Sequence, residues 1–190
     1  MARLILRSLE FAAILLVSAI AQAQAEEAWR RSYSSGDWSA ANDILVTPSG
    51  DVFTCGSVTV GPGDQDMAIA KYSGLGTPIW TAQHGITPLL NDEAITMAVA
   101  PDGSIVVAGY TDSGALTKHD IAIVKFSANG AFVWSSVYGG PELVEPERII
   151  IDAQGAIFVG GTVSSAQGTD LCILKLTAGG HLRWSATYSG

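Results

Sequence analysis

Residues 119–140 read HDIAIVKFSANGAFVWSSVYGG, and this phrase occurs three times in the chain. Around Trp80 it is QDMAIAKYSGLGTPIWTAQHG (65–85), and around Trp184 it is TDLCILKLTAGGHLRWSATYSG (169–190). Each copy is a strand-like apolar run, a glycine turn and a second run carrying a tryptophan. A fragment, AWRRSYSSG (28–36), matches only the last part. Trp29, Trp80, Trp134 and Trp184 are spaced 51, 54 and 50 residues apart. A period near 50 points to propeller blades or solenoid units.

Aligned on their turns, the repeats give four strands each. The middle repeat has them at 93–103, 104–111, 120–126 and 131–138. The first has 39–50, 51–58, 66–72 and 78–84, and the third has 146–155, 156–163, 170–176 and 181–188. Short β-branched and aromatic runs punctuated by Gly, Asn, Asp and Pro are strand and hairpin signals. Nothing after the N-terminal segment has a helical stripe. The expected fold is all-β: three four-stranded antiparallel blades (39–88, 89–140, 141–190). Residues 26–38 supply one extra outer strand and a linker, so the propeller is expected to be incomplete.

Glycines recur in register. Gly50, Gly103 and Gly155 end the first turn, and Gly76, Gly130 and Gly180 end the second, where a positive φ is expected. Gly56, Gly109 and Gly161 lie inside the second strand, which suggests close approach of another backbone or a bend. Loops one and three read as tight turns. Loop two (59–65, 112–119, 164–169) and loop four (85–92, 139–145) read as long, and strand alternation puts both on one face. Binding groups concentrate on loops held by a rigid scaffold, so a site is expected there.

The first 25 residues have the order of parts of a secretory signal peptide: Arg3 and Arg7, the apolar run FAAILLVSAIA (11–21), and small residues at AQAQA (21–25). The mature chain is therefore expected to be exported, to the periplasm, cell surface or medium, with no membrane span left. The full chain carries 10 basic and 18 acidic residues, a formal charge of −8. Its lysines are scattered, which argues against nucleic acid, since polyanion binding needs clustered cations. Cys55 and Cys172 occupy different positions of non-adjacent repeats. Free, buried thiols are expected rather than a disulfide, whose geometry is demanding.

Several residues could carry chemistry. Asp66, Asp120 and Asp170 open the third strand, with Lys71, Lys125 and Lys175 five residues on. An odd separation sends the two side chains to opposite faces of one strand, and recurrence in every repeat favours a structural task such as turn capping. Trp80, Trp134 and Trp184 could stack sugars or quinones, but their recurrence favours packing between blades. His84, His119 and His181 show no metal spacing. Asp64, Asp92, Asp112, Glu142 and Glu145 map to the long-loop face beside Lys118. They are the candidate Ca²⁺ ligands or an attractor for cationic partners. Without a D-x-D-x-D-G loop, a solvated acidic rim is the favoured reading. No nucleophile elbow or phosphate loop appears.

The phrases APDGSIVVAGYT (100–111) and HDIAIVKFSANGAFVWSSVYGG closely resemble the bacterial β-propeller repeat called SBBP. Turn, internal glycine, Asp, Lys, turn glycine and Trp stand in register three times over residues 39–188. Ser49 and Gln154 replace the turn Asp, and Trp38 and Asn42 make the first inner strand irregular. The resemblance implies an exported scaffold with no shared catalytic motif. The expectation is a non-enzymatic binding module, without a cofactor, that engages a protein or carbohydrate through its long-loop face. The alternatives are part of a propeller enzyme of lyase, lactonase or quinoprotein type, or a structural repeat of a larger cell-surface protein. Gly190 falls where the middle repeat continues with PELVEPERI, so a longer propeller is expected, with a homodimer closing a six-blade ring as the second reading.

Overall fold

In the computed structural model, residues 30, 39–86, 88–112, 119–140 and 143–189 are described. The signal-peptide segment, Trp29, Trp38, the fragment 28–36 apart from Arg30, Lys118 and Glu142 lie outside them. The chain divides into two units, Met1–Arg30 and Arg31–Gly190, and every strand below belongs to the second.

Among the described residues, twelve strands form three four-stranded antiparallel sheets in simple up-and-down order. Blade 1 holds β1 (Ser39–Val46), β2 (Val52–Gly61), β3 (Asp64–Tyr72) and β4 (Pro78–His84). Blade 2 holds β5 (Asp92–Val99), β6 (Ile105–Asp112), β7 (His119–Phe126) and β8 (Phe132–Tyr138). Blade 3 holds β9 (Leu143–Ile151), β10 (Ile157–Ser165), β11 (Gly168–Leu176) and β12 (Leu182–Tyr188). This is the architecture of open β-propeller blades.

The first and third turns of each blade are four-residue turns closed by a glycine amide. In blade 2, Gly103 donates to the Ala100 carbonyl at 2.9 Å and Gly130 to Ser127 at 2.9 Å. Their φ angles of 78° and 85° lie in the left-handed region, which a side chain resists.

The glycines inside the second strands have a different cause. Each innermost strand carries a β-bulge, between Ala41 and Asp43 in β1 and between Ala94 and Thr96 in β5, with a matching irregularity opposite Gly160 and Gly161 in blade 3. Gly56, Gly109 and Gly161 sit opposite these bulges. A Cβ there would fall 1.9, 1.8 and 2.1 Å from the carbonyl oxygens of Ala40, Glu93 and Glu145. The approaching backbone is the blade's own innermost strand, which a bulge bends inward.

One expectation about loops is overturned. Loop two is short in blades 1 and 3: β2 runs to Gly61 and β3 starts at Asp64, while β10 runs to Ser165 and β11 starts at Gly168. Ladder pairing continues through Thr59–Gln65 and Ser164–Thr169. Gly63 (φ 72°) lets two residues close the first hairpin. Only blade 2 separates its strands more widely there, and residues 113–118 lie outside the described set.

The core lies between blades rather than inside them. Blade 1 packs Phe53, Met67 and Ile69 against Met97, Val107 and Val124 of blade 2. The opposite face of blade 2 packs Val106, Ile121 and Ile123 against Ile157, Val159 and Leu174 of blade 3. Cys55 is buried and Cys172 half-buried, and both are free thiols. Burial, and then the nearby Asp43 carboxylate, push the Cys55 thiol up to about 12, so it stays protonated.

Candidate functional site

The repeated residues build the joints between blades. In blade 1, Lys71 stands between Phe53 and Trp80 across the strands, and Lys125 and Lys175 stand likewise between Val106 and Trp134 and between Phe158 and Trp184. The Trp80 indole lies 2.8 Å from where a Cβ on Gly130 of blade 2 would be, and its Nε1 donates to the Ala128 carbonyl at 3.1 Å. The Trp134 ring lies 2.9 Å from the same point on Gly180 of blade 3. Tyr138 donates its hydroxyl to the Gly180 carbonyl. Each joint therefore seats a tryptophan on the next blade's turn glycine, where a side chain would displace the ring. Among the described residues Trp184 has no such cover, and it is 45% exposed.

Two of these lysines pair with carboxylates at their own blade's first turn: Lys71 with Asp51 at 2.9 Å, Lys125 with Asp102 at 3.1 Å. Hydrogen bonds from Ser104, by side chain and then backbone, with Lys125 adding to them, hold the exposed Asp102 carboxyl down to about 2. In blade 3, Gln154 takes the place of Asp102 and Ala156 that of Asp51, and Lys175 lies over the Phe158 ring at 4.9 Å. Asp66 and Asp120 sit against the glycine that leaves the outer strand. A Cβ on Gly85 or Gly139 would fall 2.5 or 1.7 Å from their carboxylate oxygens. In blade 3 that glycine is Ser189, whose hydroxyl donates to Asp170 at 2.8 Å.

Polar residues from all three blades gather on the face of loops two and four, around His119. Its imidazole stacks on the Tyr110 ring at 4.1 Å and 5°. Its Nε2 lies 3.2 Å from Asp112 Oδ1, and its Nδ1 lies 3.2 Å from Glu145 Oε1 of blade 3. Asn91 Nδ2 donates to the other Asp112 oxygen at 3.2 Å. The Tyr110 hydroxyl donates to Glu93 at 2.5 Å. Burial first, then the bond to Glu93 and the surrounding carboxylates, push that phenol above its ordinary range, so it remains a donor. Asn42, the bulge residue of β1, donates to Glu93 at 2.7 Å and to the Ala94 carbonyl at 2.8 Å. The row Asn42–Glu93–Tyr110–His119–Glu145 thus crosses all three blades.

Of the five carboxylates singled out in the sequence, Asp112 and Glu145 meet around His119. Asp64 and Asp92 belong to a second group with Asp66, whose carboxyl is pushed up by burial and then by their charges. Asp92 is fully buried and accepts from the Ile86 amide at 2.6 Å. Glu142 lies outside the described residues. No set of three or more His, Cys, Asp or Glu among the described residues is arranged to hold a metal ion. His84 ends β4 and stacks on Phe132 of blade 2 at 4.2 Å, while His181 closes the last turn, its amide donating to Thr177 Oγ1 at 3.1 Å.

Glu93, Tyr110, His119 and Asn42 did not stand out in the sequence as a group. Their signal was present: polar residues at strand ends on one face, of which Asn42, Tyr110 and His119 do not recur between repeats.

Two comparisons bear on these observations. Residues 100–132 match a family described as "Domain of unknown function (DUF5122) beta-propeller". The chain is also 27% identical over 125 residues to the regulatory protein FlaEY of Caulobacter vibrioides, an alignment of 57% of this chain and 13% of that protein. The chain thus spans a small part of that relative's length.

Proposed function

We propose that this chain is an exported, SBBP-type propeller module that binds a partner non-enzymatically through its loop-two and loop-four face. The observation that carries the reading is the row from Asn42 to Glu145, which joins polar groups from three blades on the acid-rich face. Fixed carboxylates on a rigid scaffold favour a partner presenting basic side chains, steered by charge and weakened by salt.

The same geometry favours binding over catalysis. Both His119 nitrogens face carboxylates, so neither is directed at a substrate proton, and the Tyr110 hydroxyl is committed to Glu93. The similarity to a protein named as regulatory fits an interaction role. Export rests on the N-terminal charge and hydropathy pattern.

The test is calorimetric titration of the chain with a short lysine-rich peptide, in low and high salt. Saturable binding that salt weakens, and that the double variant Asp112→Asn/Glu145→Gln loses, is the expected result. Equal affinity in wild type and variant overturns the choice of face. Export is checked by intact mass of the secreted protein, which should lack the first 23 or 25 residues; a retained N-terminus contradicts it.

A further inference from the structure

His119 sets a removable charge in the middle of the acid-rich face. An ionised carboxylate only accepts hydrogen bonds, whereas an imidazole donates from each nitrogen that carries a proton. Asp112 Oδ1 lies 3.2 Å from Nε2, and Glu145 Oε1 lies 3.2 Å from Nδ1. A neutral ring has a single N–H, so its other nitrogen would bring a lone pair against a carboxylate oxygen. The imidazolium donates at both sides. The geometry is therefore satisfied by one proton more than a neutral histidine and two ionised carboxylates hold together.

The groups that face the ring supply no other cation. From β6 come Asp112 and Tyr110, from β9 comes Glu145, and Glu93 of β5 stands behind the Tyr110 hydroxyl. Among the described residues, no lysine or arginine pairs with Asp112 or Glu145. The frame is held without the extra proton. Asp112 accepts from Asn91 Nδ2 at 3.2 Å and gives its own amide to the Asn91 carbonyl at 2.9 Å, while the imidazole rests on the Tyr110 ring. The Asp112 and Glu145 side chains are 29% and 46% exposed, so a cation arriving from solvent can reach both.

Given a face that binds basic side chains, as proposed above, we infer that His119 is an internal cation competing with the partner for Asp112 and Glu145: acid closes the face and a rise in pH opens it. Histidine changes charge between about pH 5 and 8. In the acid part of that range the imidazolium neutralises both carboxylates. Toward the upper end the ring is neutral, and the same carboxylates are left for a lysine ammonium or an arginine guanidinium. Docking of the cation expels the His119 proton to the buffer. One N–H bond breaks, its electron pair stays on the imidazole, and the partner's positive charge replaces the one lost. Partner and proton then weaken each other's binding by the same factor.

The experiment is calorimetric titration of the full chain with a lysine-rich peptide at about pH 5.5 and about pH 8, in constant low salt. At the lower pH, two buffers of different ionisation enthalpy count the protons released. Affinity should rise with pH, by up to about tenfold per pH unit, with about one proton released per peptide in the acid titration. His119→Gln should bind equally at both pH values and release no proton. His84→Gln, at a ring that stacks on Phe132 and meets neither carboxylate, should keep the wild-type pH dependence. In the wild-type chain, ¹⁵N NMR of the His119 ring should show both nitrogens protonated at the lower pH and one of them deprotonated once peptide is bound. Equal affinity at the two pH values, or a doubly protonated His119 in the complex, overturns the competition while leaving the binding face standing. No binding at either pH, in wild type and in His119→Gln alike, overturns the binding face and the competition with it.

Discussion

Blades 2 and 3 are built from nearly the same phrase, with the same strand order and the same cross-strand register, yet they bury opposite amounts of it. Lys125 faces Trp134 and Lys175 faces Trp184; Ile121 faces Tyr138 and Leu171 faces Tyr188. Blade 2 is clamped on both faces, whereas blade 3 is covered on one. Strand formation is thus a property of each repeat, set by branched residues and turn glycines. Burial is a property of the neighbour. A blade is half of two cores and owns neither, which is why stacked repeats stabilise one another pairwise.

The sharpest way to break this comparison is to truncate the same position in both blades. Ile123→Ala leaves a cavity between blades 2 and 3 and should cost about 2–5 kcal/mol in chemical denaturation. Ile173→Ala on the open face should cost under about 1 kcal/mol. Equal costs would mean that the blade 3 face is covered in solution.

The next largest effect contrasts two strand glycines. Gly109→Ala pushes a methyl into the Glu93 carbonyl, which is backbone at a bulge and yields only by shifting; about 1–3 kcal/mol should be lost. Gly160→Ala meets nothing within 4 Å and should stay within about 0.5 kcal/mol of wild type. A neutral Gly109→Ala would show that the bulge relaxes freely.

Trp80→Phe removes the bond to the Ala128 carbonyl and should destabilise by about 1 kcal/mol or more. Trp184→Phe should leave the melting temperature almost unchanged. Comparable losses would contradict the asymmetry of the two joints.

The smallest effect is the pH dependence of the Lys125–Asp102 pair. The folded-state value of Asp102, about 2, lies below its ordinary 3.8. The stability it contributes is therefore present above pH 3.8 and lost as pH falls toward 2. Asp102 is largely exposed, so the gain is small. Asp102→Asn should narrow the gap to wild type across that window and nowhere else; a gap that persists at pH 2 would mean the loss is not electrostatic.

Much of this architecture was legible in the sequence because its causes are local. Pro-Asp-Gly and Ser-Ala-Asn-Gly announce left-handed glycine turns, and IAIVKF between them has the composition of a buried strand. Loop two was misread because TVGPGDQ is polar, yet polar residues at strand ends still pair their backbones, and Pro62-Gly63 needs only two positions to turn. The role of Gly109 was half legible: a close backbone was implied, but that it belongs to a bulge in the adjacent strand requires the register. The partners of the lysines were hidden for the same reason, since Asp102 in the first turn meets Lys125 only once the second and third strands pair. The cluster around His119 depends on three blades converging, which no single repeat encodes.

The central claim is that neighbours, not repeats, decide burial, and the direct measurement is ¹⁹F NMR of the chain labelled with 5-fluorotryptophan. Resonances are assigned with Trp80→Phe, Trp134→Phe and Trp184→Phe, and each is compared in H₂O and D₂O. The account predicts a small solvent shift for Trp80 and Trp134 and a large one for Trp184. Three similar shifts would contradict it, because equivalent positions in the repeat would then have equivalent surroundings.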